Sequence, residues 1–166
     1  MPMTSADAAL RPARPDDLPA IERLLTQSGL PLVGVAPALD DFVVAESEGM
    51  VVGVAGLEVR RESALLRSVA VAPDWRSRGV GAALVSRLIA DAGGRGLRAL
   101  YLLTTTAERY FPSFGFRPIA RQDVPAEMRK PRSSRARARQ RRWPCRWMSG
   151  PRRSTEKRHL TFLCRP

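Results

Sequence analysis

The segment Arg76-Ser77-Arg78-Gly79-Val80-Gly81 restricts the fold more than any other stretch of this chain. Before it, Ala64-Leu65-Leu66-Arg67-Ser68-Val69-Ala70-Val71 reads as a strand stopped by Pro73. After it, Val80, Leu84 and Leu88, backed by Val85 and Ile89, recur at the spacing of one helix face. A glycine turn between a strand end and a helix start has a definite chemistry. Glycine lets backbone N–H groups approach an anion with no Cβ in the way. The first helical turn also carries unpaired N–H donors and a partial positive charge. Arg76 and Arg78 add formal charge, so the turn suits a pyrophosphate.

Two common phosphate loops are excluded. A Walker loop requires Gly-Lys-Ser/Thr, which is missing here. A dinucleotide fingerprint requires a third glycine where this chain has Leu84, and an acidic residue about 20 positions on to hold a ribose. The strand before the turn also closes an antiparallel meander instead of opening a βαβ unit. Phe42–Glu46 and Met50–Leu57 flank Glu48-Gly49 as a hairpin, and Arg60–Ser63 turns the chain into Ala64–Val71.

The rest of the chain fits around this core. Ala9–Ala13 reads as a short strand. Pro15 with Asp16 and Asp17 opens a helix whose apolar face is Leu18, Ile21, Leu24 and Leu25, ended by Gly29. Leu30–Asp41, broken by Pro31, Gly34 and Pro37, reads as a loop or an interrupted helix. The glycine-turn helix is expected to stop at Gly93-Gly94. Leu97–Leu103 is nearly all apolar, as for a strand buried on both faces, and the helix before it implies a crossover to a parallel partner. Ala107–Phe114 reads as a short helix capped by Gly115, and Phe116–Ala120 as a last strand.

The net charge of +12 is not spread evenly over the 166 residues. Residues 1–129 balance basic against acidic side chains, and the whole excess lies in 130–166. Segment 130–166 alternates Arg135, Arg137 and Arg139 with Ala, then adds Arg pairs and prolines without helical or strand period until Leu160-Thr161-Phe162-Leu163. It is expected to be a disordered basic tail. Its patternless Arg, Pro, Ser, Trp and Cys order also matches out-of-frame translation of GC-rich DNA, a non-native extension. Two cysteines make no disulfide framework, and one histidine rules out a multi-histidine metal site. No secretory or membrane-spanning pattern appears, so a cytoplasmic location is expected.

The order of strand Ser68–Pro73, Arg-x-x-Gly-x-Gly, amphipathic helix, apolar strand and Phe111-Pro112-Ser113-Phe114-Gly115-Phe116 resembles the GCN5-related N-acetyltransferase (GNAT) superfamily over residues 9–129. The resemblance implies a mixed α+β fold. A mostly antiparallel sheet, flanked by helices, contains one parallel pair that splays apart. It makes residues 1–129 the acetyltransferase domain, and it implies acetyl-CoA as co-substrate with no metal. The diphosphate would lie on Arg76, Ser77, Arg78, Gly79, Val80, Gly81 and Ala82, and the pantetheine would pair with Val69, Ala70 and Val71.

Leu102-Leu103-Thr104-Thr105-Thr106-Ala107 with Phe111 and Gly115-Phe116 is similar to N-acetylglutamate synthases and to acetyltransferases associated with arsenic resistance. The latter also resemble Ala64–Val71 and Asp123-Val124-Pro125-Ala126-Glu127. The implied acceptor is the amine of a small amino acid or an amino-acid-like compound, an arsenic-containing one included.

The family chemistry is direct attack of the amine on the thioester. A backbone N–H near Val69 is expected to hold the oxyanion. Glu58 is the candidate base, Arg67 the first choice to hold a substrate carboxylate ahead of Arg60 and Arg61, and Thr105 a further substrate contact. Where many members place an acidic tyrosine, this chain has Phe111, and Tyr110 sits one residue earlier, about 100° round a helix. Relatives place a final strand after the Asp-Val-Pro-Ala-Glu stretch. Here Leu160–Cys164 is the available substitute, and an uncovered sheet edge would favour a homodimer. The alternative is a degenerate fold of this type whose basic tail binds nucleic acid, with little catalysis.

Overall fold

The computed structural model describes residues 8–104, 109–129 and 160–164. The chain opens with β1 (Ala9–Pro12), one 3-10 turn over Pro15–Asp17 and α1 (Leu18–Gln27). Gly29, in the left-handed region at φ +67, ends that helix. A second 3-10 stretch, Ala36–Asp41, occupies the proline-broken segment and leads into β2 (Phe42–Ser47) and β3 (Met50–Arg60). Glu48 and Gly49 both have positive φ, the geometry whose twist matches a tight two-residue hairpin. Then follow β4 (Ser63–Val71), α2 (Val80–Gly94), β5 (Ala99–Thr104), β6 (Arg117–Ile119), α3 (Ala126–Arg129) and β7 (Leu160–Cys164).

All seven strands form one sheet in the order β1-β2-β3-β4-β5-β7-β6. β1 to β4 pair antiparallel with their neighbours, β4 and β5 are parallel, and β7 runs antiparallel between β5 and β6. The sheet therefore draws one strand from the basic segment beyond residue 129. That strand registers Leu103 opposite Thr161 and Pro118 opposite Phe162. Residues 130–159, most of the expected tail, lie outside the described residues.

Alternation along β2 divides the core in two. Val43 and Ala45 join the cluster under α2 with Val80, Leu84, Val85 and Leu88. Phe42 and Val44 join the opposite cluster under α1 with Ile21, Leu24 and Leu25. A period of two therefore covers both faces of the sheet, and each helix supplies an apolar stripe at period 3.6.

α2 ends at Gly94, at the expected glycine pair, and the left-handed residue that closes the following turn is Gly96 at φ +71. Two expectations need adjustment. The stretch before Gly115 is a 3-10 turn over Phe111–Phe114, and the residues from 107 to 108 lie outside the description. β5 is buried on both faces only as far as Leu102; Leu103 is 57% exposed. The reason is its parallel partner. The β4–β5 ladder covers Ser63 to Leu66 against Ala99 to Leu102, and beyond it the strands part. Among the described residues no helix is long and apolar enough to cross a membrane.

Candidate active site

The parting of β4 and β5 makes the site. A cleft of about 330 Å³ opens beyond Leu66 and Leu102. Its walls are Arg67, Ser68, Val69 and Val71 of β4 and Leu103 and Thr104 of β5. Leu30, Gly81, Tyr110 and Phe111 close it. The volume falls in the usual range for small-molecule pockets, roughly 300–1,000 Å³.

A bulge in β4 shapes the near wall. Val54 faces Ala70 and Gly56 faces Arg67, so β4 spends one more residue than β3 over the same length. Ser68 takes up the excess at φ +58, a left-handed conformation rare for a side chain on a strand. Ser68 and Val69 have no partner in the β3 ladder, and both line the cleft. Nothing in the sequence marks the bulge, since serine is an ordinary strand residue.

At the other end, the glycine turn is built as the anion argument requires. Gly79 stands before α2 at φ +81, and Ser77 precedes it at φ +60. Alternating left-handed residues at a helix start gather N–H groups into a concave nest. A Cβ at Gly79 would meet no atom within 4 Å, so that side of the turn is open. The turn is therefore concave and open, the kind of backbone shape that can take an anion.

The two arginines of the motif do different work. Arg76 folds back, and its Nε donates to the Val71 carbonyl at 3.1 Å, tying the turn to the end of β4. Arg78 lies over the Trp75 ring at 5.2 Å, a cation–π contact that holds its charge beside the turn.

The charged wall differs from expectation. Glu58, on β3, is 4% exposed and is not part of the cleft lining. Its Oε1 accepts from Arg60 Nε at 3.1 Å and also from Arg60 Nη2. Its Oε2 accepts from Arg67 Nη1 at 3.1 Å. Burial works to raise this carboxyl, but the hydrogen bond and charge of Arg60, followed by those of Arg67, outweigh it and hold it below the ordinary range. The expected base is thus an ionised carboxylate behind the wall with both oxygens engaged, an arrangement that does not suit proton abstraction from a substrate in the cleft.

Arg67, on β4, lines the cleft. Its Nη2 also donates to the Val33 carbonyl at 2.6 Å. Arg60 turns to Glu58. Thr105 lies outside the described residues. Tyr110 and Phe111 both line the cleft, so the one-residue offset does not turn the tyrosine away. Phe111 packs edge-on to Phe116 with ring centroids 5.8 Å apart. The Tyr110 hydroxyl lies over the first turn of α2, 3.2 Å from where a Cβ of Gly81 would be, and burial raises its pKa. No group of three or more metal-ligating side chains is assembled among the described residues.

This geometry agrees with the comparisons to known proteins. The acetyltransferase (GNAT) domain family matches residues 38–118. Rv2747 from Mycobacterium tuberculosis, solved in complex with CoA, is 33% identical with a TM-score of 0.65, over 72% of this chain and 77% of that one. The chain belongs to the GNAT acetyltransferase family. The amino-acid acetyltransferase of Aeromonas salmonicida is 32% identical over 94 residues, 55% of this chain and 21% of that protein. The chain spans about a fifth of the length of such relatives. N-acetylglutamate synthase from Neisseria gonorrhoeae, complexed with coenzyme A and N-acetyl-glutamate, shares the fold. That structure covers 98% of this chain and is itself covered over 36%, with a TM-score of 0.73 at 21% identity.

Proposed function

We propose that this GNAT protein transfers the acetyl group of acetyl-CoA to the amine of a small amino acid or amino-acid-like compound. The observation that carries the reading is one cleft lined by the length of β4 beyond its β5 ladder, by Arg67 and by Gly81, which follows the left-handed turn at Ser77–Gly79. Acetyl-CoA supplies the activated acyl group as a thioester. The turn at 76–82 holds the diphosphate, and Val69, Ala70 and Val71 offer backbone partners to the pantetheine. A Val69 N–H faces the carbonyl oxygen as it gains charge. Arg67 receives the acceptor's carboxylate and so aims its amine at the thioester carbon. A C–N bond forms, the C–S bond breaks, and the amine's proton leaves to water at the cleft mouth while the thiolate takes one up.

The similarity to amino-acid acetyltransferases supports the acceptor class. The resemblance to arsenic-associated members extends it to arsenic-containing analogues, and a cytoplasmic site of action follows from the same reading. Thr105 is a second acceptor contact on this reading.

The test is acetylation of a panel of amino acids, glutamate and glutamine included, and an arsenic-containing analogue, with thermal melting alongside. Acetyl-CoA at 100 times its Kd should stabilise the fold by about 2.7 kcal/mol. Melting that does not respond to acetyl-CoA contradicts the cofactor site. A response without any acetylated product contradicts the acceptor class.

A further inference from the structure

Glu58 and Arg67 lie nine residues apart on neighbouring strands, with Glu58 behind the cleft wall and Arg67 on it. The guanidinium of Arg67 is held by three partners, the nearest in sequence being the Ser68 hydroxyl, which accepts from Nε at 3.3 Å. From β3, Glu58 Oε2 takes Nη1 at 3.1 Å. From the loop after α1, the Val33 carbonyl takes Nη2 at 2.6 Å. Gly34 comes so close that a Cβ there would lie 3.0 Å from Nη1, and its φ of +81 lets the loop make that approach. The loop and the strand are 34 residues apart along the chain, so this meeting is a tertiary device. Arginine has a long stem with many rotamers. A carboxylate fixed by burial and by Arg60 removes that freedom before any substrate arrives, and preordering of this kind lowers the cost of binding.

We infer that Glu58 is a positioning residue: it holds the Arg67 guanidinium in register for an acceptor carboxylate and takes no part in moving a proton. The inference deepens the proposed amino-acid acceptor and rests on it. Two properties separate this role from general-base catalysis. Glu58 acts only through Arg67, so its removal matters only while Arg67 is present. Its effect also falls on acceptor binding and not on turnover.

The test compares wild type, Glu58→Gln, Glu58→Asp, Arg67→Gln and the double variant Glu58→Gln/Arg67→Gln, each with acetyl-CoA and a free amino acid that wild type acetylates. Glu58→Gln should raise the acceptor KM about 10- to 100-fold, the scale of one charge-assisted hydrogen bond, with kcat near wild type. Glu58→Asp should recover part of the loss. In the Arg67→Gln background, Glu58→Gln should add nothing to the acceptor KM; Arg60 loses its carboxylate partner in both Glu58→Gln proteins, so the melting temperature of every variant is measured alongside. A fall in kcat of about 100-fold or more, or a full Glu58→Gln effect without Arg67, overturns the inference. If wild type acetylates no amino acid, the acceptor reading fails by itself. Nitrogen NMR of the wild-type Arg67 guanidinium, assigned by its loss in Arg67→Lys, then decides. Separate, slowly exchanging Nη signals support a held side chain, and averaged signals overturn it.

Discussion

The two ends of the cleft are built from different materials. Toward α2 the working surface is main chain: left-handed Ser77 and Gly79, open space before the turn, and Arg76 spent on bracing Val71. Toward the loop after α1 it is side chain: Glu58, Arg60 and Arg67, joined across β3, β4 and the Val33 carbonyl. A ligand part shared by every turnover, the diphosphate, can be met by backbone groups that any sequence possesses. An acceptor that differs between relatives must be met by side chains. On the proposed function, cofactor recognition rests on the conformation of one turn and acceptor choice on a charge network.

The largest break in that comparison should come at the turn. Gly79→Val forces a branched residue to φ +81 and projects its methyls into the space an anion enters. Loss of one or two charged hydrogen bonds should raise the acetyl-CoA KM by about 100-fold, with the acceptor KM little changed. Steady-state kinetics with each substrate varied in turn checks both halves.

A smaller effect separates the ends by pH. Glu58 in the acceptor wall, held down by Arg60 and Arg67 against burial, and Asp17 beside Arg11 both have carboxyls below their ordinary values of 4.5 and 3.8. Groups depressed in the folded state stabilise it above their unfolded values and lose that contribution as pH falls through the folded ones. The melting temperature should therefore hold near neutrality and drop as pH falls below about 4.5. The drop should be shallower in Glu58→Gln. An equal slope in both proteins would detach Glu58 from the acid response.

The smallest effect sharpens the claim that the turn works through its backbone. Ser77→Gly keeps the conformation at φ +60 and relieves its strain. It should stabilise the protein by up to about 1 kcal/mol, with the acetyl-CoA KM unchanged. A raised KM would assign the Ser77 side chain a direct role.

How much of this was legible beforehand follows the same division. Gly79 and Gly81 are visible because a backbone site demands glycine, and the meander shows because hairpins and alternation are local patterns. The splayed pair and the cofactor strand came through the family resemblance. The Ser68 bulge left no mark, because one extra residue in a ladder is defined only by the register of the partner strand. The surroundings of Glu58 are out of reach of the sequence for a related reason. Its place near the cleft along β3 is a local fact, but its burial and its two arginines depend on β4, and the Val33 grip on Arg67 depends on a loop 34 residues away. β7 was visible as an apolar run, yet only sheet pairing sets it between β5 and β6. Tyr110, the residue that leads into the 3-10 turn at Phe111–Phe114, lines the cleft beside Phe111, a placement set by tertiary packing that an angular step along the sequence does not give.

A crystal structure of the protein with CoA tests the central claim most directly. The account predicts diphosphate oxygens within hydrogen-bond distance of backbone N–H groups between residues 77 and 82, with the pantetheine running along Val69 to Val71. A diphosphate held elsewhere, or a cofactor that leaves the glycine turn empty, would contradict it.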